Sequence, residues 1–209
     1  MTDSVENNMK HWLLLILVEL VACGAWGQTT NIPGGSETIG IYLVQHPSYP
    51  GRDTDKNLKI VELADHPILS DNDFVDWNVT NHTIVITPVA AIRLAQACHF
   101  RVIPFVVVAG GERIYLGMFE TQLASVGYGV PVIITDNLVG HCFVGDVPTN
   151  IYKMSEKEIA NVLNKSRTTN VTLPIQFGYP ERSPDPGQDR RGDMKLKDAV
   201  KRLFAIRGL

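Results

Sequence analysis

The chain has 209 residues, a net charge of −3 at pH 7 and 44% hydrophobic residues, with an isoelectric point near 6.1. That composition excludes gross disorder. The mildly acidic balance leaves no footprint for nucleic acid, because the one local basic cluster (Lys195, Lys197, Lys201, Arg202, Arg207) falls on an expected helix and reads as its solvated face.

The first 27 residues read as an export signal. Met9-Lys10-His11 leads into an apolar run from Trp12 to Val18, and small residues follow through Gly27. The run is about half the roughly 20 residues needed to span a bilayer, and Glu19 interrupts it, so a permanent membrane helix is not expected. Asp3 and Glu6 are unusual in a leader, and Met9 followed by Lys10 makes the better start. Two processing sites compete: Leu20-Val21-Ala22-Cys23 has the form of a lipobox, with acylation expected at Cys23, whereas Ala25 and Gly27 ahead of Gln28 suit ordinary signal-peptidase cleavage. A plain N-terminal helix is the third reading.

Residues 28–38 are polar and bear Gly and Pro, as a tether would. The rest, residues 39–209 and about 170 in number, suits one domain with a proper core. Ile39 to Val44 reads as a first strand, and His46 to Lys56 as a loop. Leu58 to Leu63 alternates as a second strand, and Thr83 to Thr87 forms a third. Thr87 then caps a helix with Pro88 in its first turn and Ala91, Leu94, Ala95 and Cys98 on one face. The runs 103–108 and 113–117 flank Gly110-Gly111, whose freedom at positive φ predicts a β-hairpin at the centre of the sheet.

Further strands are expected at Val130–Thr135, Cys142–Val144 and Val171–Phe177. Ser155 and Glu158 form a capping box, with Met154 placed to staple onto Ile159. Pro180 to Gly192 has the composition of a linker, and Asp193 caps a last helix striped by Leu196, Ala199, Val200 and Leu203. The expected fold is α+β: a mainly antiparallel sheet with about three helices, 88–98, 155–165 and 194–206, packed largely on one face.

Motifs that carry chemistry are scarce. The six histidines (His11, His46, His66, His82, His99, His141) do not pair at the spacing of a zinc helix. Asp71, Asp73 and Asp76 superficially match calcium-loop spacing but lack the glycine and terminal glutamate of an EF-hand, so capping or turn formation is expected instead. Ser125 lacks the preceding glycine of a nucleophile elbow, and Gly34-Gly35 and Gly110-Gly111 lack the residues that cradle phosphate. No cofactor and no metal is expected. Cys98 and Cys142 are expected as buried free thiols, a disulfide between them being the alternative in an exported chain.

The stretch from Pro67-Ile68-Leu69-Ser70-Asp71-Asn72-Asp73-Phe74 through Thr87-Pro88, Pro104-Phe105-Val106-Val107-Val108, Gly111-Glu112-Arg113-Ile114-Tyr115 and Gly117-Met118-Phe119 resembles the head of the periplasmic domain of SecD, a protein-export accessory subunit, and small exported proteins with a similar module. The likeness covers about residues 39–135, with its landmarks at Asp73, Thr87-Pro88 and the hairpin from Val108 to Ile114. It implies a head-like fold, but this chain has neither SecD's several membrane-spanning helices nor its base subdomain, so proton-driven export is not implied. The tail, Ile175 to Pro180 followed by Asp189-Arg190-Arg191-Gly192-Asp193, is similar to the close of such small proteins and suggests a specific seat for 189–193, with Arg190 or Arg191 paired to a carboxylate.

These features lead to the expectation of a noncatalytic, exported cell-envelope domain, lipid-anchored if Cys23 is acylated, that binds a protein or peptide. Tyr115, Phe119 and Tyr128 are the candidate partner contacts, with Tyr152 beside them and core packing as the alternative for each. The competing expectations are an envelope hydrolase using His82, His141 and Asp146, and a purely structural lipoprotein.

Overall fold

The computed structural model describes residues 39–45, 54–99, 101–123, 129–178 and 189–208. The leader, the tether, Cys23, Ser125 and Tyr128 lie outside the described residues. The strands are β1 (Ile39–Leu43), β2 (Phe74–Asn78), β3 (Thr83–Ile86), β4 (Ile103–Ala109), β5 (Glu112–Glu120), β6 (Pro131–Ile134) and β7 (Val171–Phe177). The helices are α1 (Thr54–Ile60), α2 (Pro88–Cys98), α3 (Leu138–Cys142), α4 (Glu156–Lys165) and α5 (Met194–Ile206), with 3-10 turns at Asp71–Asp73 and Ile151–Lys153.

Among the described residues the strands form one seven-stranded sheet in the order β1-β4-β5-β6-β7-β3-β2, curled into a half-barrel. The fold is α+β, as the alternating runs and capped helices predict. β5 and β6 pair in parallel, and every other neighbouring pair is antiparallel. The β4–β5 hairpin is internal, but the middle strand of the order is β6.

Side chains alternate across each strand, and the two faces carry different cores. Ile39, Ile41, Phe105, Val107, Tyr115 and Phe119 face the main core, which also takes Ile92 and Leu94 of α2, Leu138 of α3, Ile159 of α4 and Leu196 and Leu203 of α5. Tyr42, Val106, Val108 and Leu116 point the other way and pack with Leu58 of α1 and with Leu63. The helices are therefore not confined to one face. A third, small cluster on the second face holds Met118, Val130 and Val132, with Val102 and Ile134 at its margin.

Several local signals act as their chemistry requires. Thr87 Oγ1 accepts from the Ala90 amide at 3.3 Å, and the Ser155 amide donates to Glu158 Oε2 at 2.8 Å. Gly110 and Gly111 adopt φ of 57° and 78° and form the two-residue loop between paired Ala109 and Glu112. Both values suit the left-handed turn that joins twisted antiparallel strands. One residue later the register slips: Val108 faces Arg113 and Val107 faces Tyr115, leaving Ile114 as a bulge that nevertheless packs into the main core.

Two expected strands take other forms. Leu58–Leu63 does not run as a strand: Thr54–Ile60 is helical, and Leu63 only bridges to Val44. Burial does not alternate along it either: Leu58 and Leu63, five residues apart, both reach the second core while Ile60 is exposed. Arg113 fixes the helix end by donating through Nη1 to the carbonyls of Leu58 at 2.9 Å and Val61 at 2.8 Å, carbonyls that a short helix leaves open. At Cys142–Val144, Cys142 closes helix α3 and only Phe143 bridges, to Thr168.

Residues read as a capping turn, Asp71–Asp73, do form one, and an unforeseen strand β2 follows directly. Asp73, 6% exposed, accepts from the Ser70 amide at 2.8 Å and from Arg93 Nη1 at 3.1 Å. Asp71 Oδ1 takes the Ile39 amide at 2.7 Å, so both carboxylates are engaged in the fold. The outer edge of β1 is likewise covered, with the Ile41 amide donating to Leu69 and the Ile68 amide to Ile41, each at 2.8 Å.

Candidate functional site

The one parallel pair places two strand ends side by side. At the carboxyl ends of β5 and β6 lies a cleft of about 70 Å³, lined by Cys98 and His99 from the end of α2, Thr121 after β5, Thr135, Asp136 and Asn137 after β6, and Tyr152. Ligand crevices form at such ends because the connections leaving two parallel neighbours diverge there.

Each wall is held by a specific contact. The Glu120 carbonyl accepts from the Thr135 amide at 2.8 Å and from Thr135 Oγ1 at 3.1 Å, locking the two strand ends together. Asp136 Oδ2 accepts the Gln122 amide, closing the same junction one step further on. Opposite, Gln96 Nε2 donates to the carbonyls of Ile151 and Met154, both at 2.9 Å, and pins the Tyr152 turn to α2. Asn137 holds a left-handed backbone, φ 55°, at the start of α3, and its side-chain amide lies over Gly140, where an added Cβ would make that amide move aside.

The rim is aromatic. His99 and Tyr152 pack with ring centroids 4.7 Å apart, and Tyr152 is 42% exposed. Two residues beyond Thr121, Leu123 is 85% exposed. Burial pushes the thiol of Cys98 in the lining up to about 12, which disfavours the reactive thiolate.

Of the partner contacts expected from sequence, Tyr115 and Phe119 do not lie here. Tyr115 and Phe119 are 3% and 0% exposed within the main core, Phe119 with its ring centroid 4.4 Å from that of Phe105. Strand alternation at the bulge turns both inward, so packing, the alternative weighed for each, describes them. Among the described members of that aromatic group, Tyr152 reaches the surface.

The residues of the hydrolase reading are also dispersed among elements. His82 sits in the β2–β3 turn with φ 54°, and His141 and Asp146 are exposed on and after α3. His82 lies in the electrostatic field of Asp189 instead. Asp189 belongs to an interior ion pair: Arg191, 7% exposed, donates to it through Nη2 at 2.7 Å and Nε at 2.9 Å, and through Nη1 to the Ile175 carbonyl at 2.5 Å. The hydrogen bonds from Arg191 hold the Asp189 carboxyl below its ordinary range. The buried Tyr115 hydroxyl stands in the field of this pair, and desolvation raises it well above the usual phenol range. The expected seat of residues 189–193 is thus occupied, Arg190 pairing with Asp193 at 2.6 Å beside it.

Cys98 and Cys142 are free, buried thiols. Among the described residues no group of three or more His, Cys, Asp or Glu side chains could hold a metal ion, and no helix is long and apolar enough to cross a membrane. No protein-family model, no curated protein and no solved structure matches this chain.

Proposed function

We propose that the chain is a noncatalytic α+β domain of the cell envelope, exported by its leader and tethered through Cys23, that holds a protein or peptide partner at the cleft beside Tyr152. The observation that carries this reading is the size and rim of the cleft. About 70 Å³ is well below the ~300–1,000 Å³ of small-molecule pockets, yet it is rimmed by an exposed aromatic pair. A notch of that kind takes one side chain of a larger partner, with Tyr152 and Leu123 supplying apolar contact around it. The resemblance of residues 39–135 to the SecD head supports the envelope setting and is part of this proposal.

Two measurements test it. A photo-crosslinking amino acid at position 152, in intact envelopes, gives a discrete adduct that Thr121→Lys abolishes by filling the notch, while the same group at exposed Thr172 on β7 gives none. The absence of an adduct from position 152 sinks the binding reading. Mass spectrometry of the mature N-terminus separates the anchors: diacylglyceryl Cys23 supports the tether, a free Gln28 indicates soluble secretion, and an uncut chain removes both.

A further inference from the structure

Glu120 ends β5 on the sheet face away from the main core. Phe119 before it packs into that core, and Glu120 shares its face with Met118 of the small apolar cluster. It stands beside Ile134 of the parallel strand. The side chain is 0% exposed, and among the described residues neither carboxylate oxygen has a hydrogen-bond partner. Buried carboxylates are ordinarily paired, because an ionised group without partners or water is strongly disfavoured. No contact of the fold described above employs this side chain.

Its backbone, however, holds a wall of the cleft. The Glu120 carbonyl holds Thr135 by both the amide and the hydroxyl, and Thr135 and the next residue, Thr121, line the opening. One residue therefore presents a dry carboxyl to one face of the sheet and fastens the binding wall on the other.

We propose that Glu120 sets the shape of the cleft according to whether its carboxyl carries a proton. Protonated, it is a neutral side chain that remains between Met118 and Ile134 with the strand ends locked. Ionised, it must reach water or admit it, which draws the end of β5 from its place and shifts the Thr135 wall. Burial pushes the carboxyl up to about 7, so the change falls in the neutral range. Among the described residues of the neighbouring strands, Arg101 precedes β4, Asp136 follows β6 and is engaged by Gln122, and β7 brings the neutral Gln176. On the cleft side stand His99, Cys98 and Tyr152. The regulatory meaning rests on the binding reading above; the coupling itself does not.

The test follows the amide resonances of Thr121 and Thr135 in the full chain from about pH 5 to about pH 9. A transition centred near 7 is expected at both. It persists in His99→Asn, which removes the imidazole from the cleft, and disappears in Glu120→Gln. Glu120→Met, apolar and close in volume, repeats the test should the amide disturb folding. A transition that survives in either Glu120 variant, or a flat wild-type profile at Thr135, overturns the proposal. No partner is needed for this readout, so a flat profile leaves the binding reading intact, and a failed crosslink at position 152 leaves the coupling intact.

Discussion

Arg191 and Asp189 are two residues apart in the chain and meet inside the protein, the guanidinium donating to both carboxylate oxygens at 2.7 and 2.9 Å. The pair seats the turn before α5 against β7, because the same guanidinium also takes the Ile175 carbonyl. Asp189→Asn would leave an interior cation without its counter-charge, and a loss of roughly 3 kcal/mol is expected in urea unfolding. Asp189 is held below its ordinary range, so its contribution is complete above the unfolded value of 3.8 and is lost as pH falls through the lower folded value. Acid unfolding of Asp189→Asn should therefore lack that component.

Glu120 has the opposite sign. Its folded carboxyl titrates near 7 against an unfolded value of 4.5, so its neutral form is fully compatible with the fold at low pH, and stability falls as pH rises between those values. The fall is at most about 3 kcal/mol. Equilibrium unfolding across this window should show it in the wild type, and Glu120→Gln should remove it.

Gly117 lies beneath the ring of Phe105, where an added Cβ would stand 2.4 Å from the ring and 2.8 Å from the Pro131 carbonyl. Gly117→Ala is expected to destabilise by roughly 1–3 kcal/mol, as overpacking does. Phe105→Leu in the same chain should recover part of that loss, because the two sites share one contact; additive losses in a double-mutant cycle would show otherwise.

Cys98 and Cys142 are both pushed by burial to about 12. In a Cys23→Ser background the native protein should react with a thiol reagent at mildly alkaline pH only at the rate of unfolding, and all at once in denaturant. Rapid native labelling of either residue would contradict their described burial.

The parts of this fold legible in the sequence are those set by neighbours in the chain. Thr87-Pro88, Ser155 with Glu158, Asp193 and Gly110-Gly111 each satisfy backbone groups within a few residues, so their patterns carry their structure. β2 was hidden because Asp76 reads with Asp71 and Asp73 as a capping or turn group, and α1 because the apolar Leu58, Ile60 and Leu63 suit a strand as well as a helix. The cleft was illegible for a different reason. It exists because Thr121 and Thr135 are brought together by a parallel pairing, and nothing near either residue announces the other. Tyr152 was noticed as an aromatic, but its exposure depends on Gln96 holding its turn. Glu120 reads in the sequence as an exposed turn or cap residue, and the pairing of β5 with its neighbours buries it instead.

The strand order has a consequence for how the chain comes to its shape. β7 pairs with β6 on one side and β3 on the other, so until residues 171–177 arrive the earlier strands make two separate patches, β1-β4-β5-β6 and β2-β3. The stretch that resembles a self-contained module, residues 39–135, is here a pair of open halves awaiting a late keystone. A chain built this way delays its own closure until nearly all of it has been made.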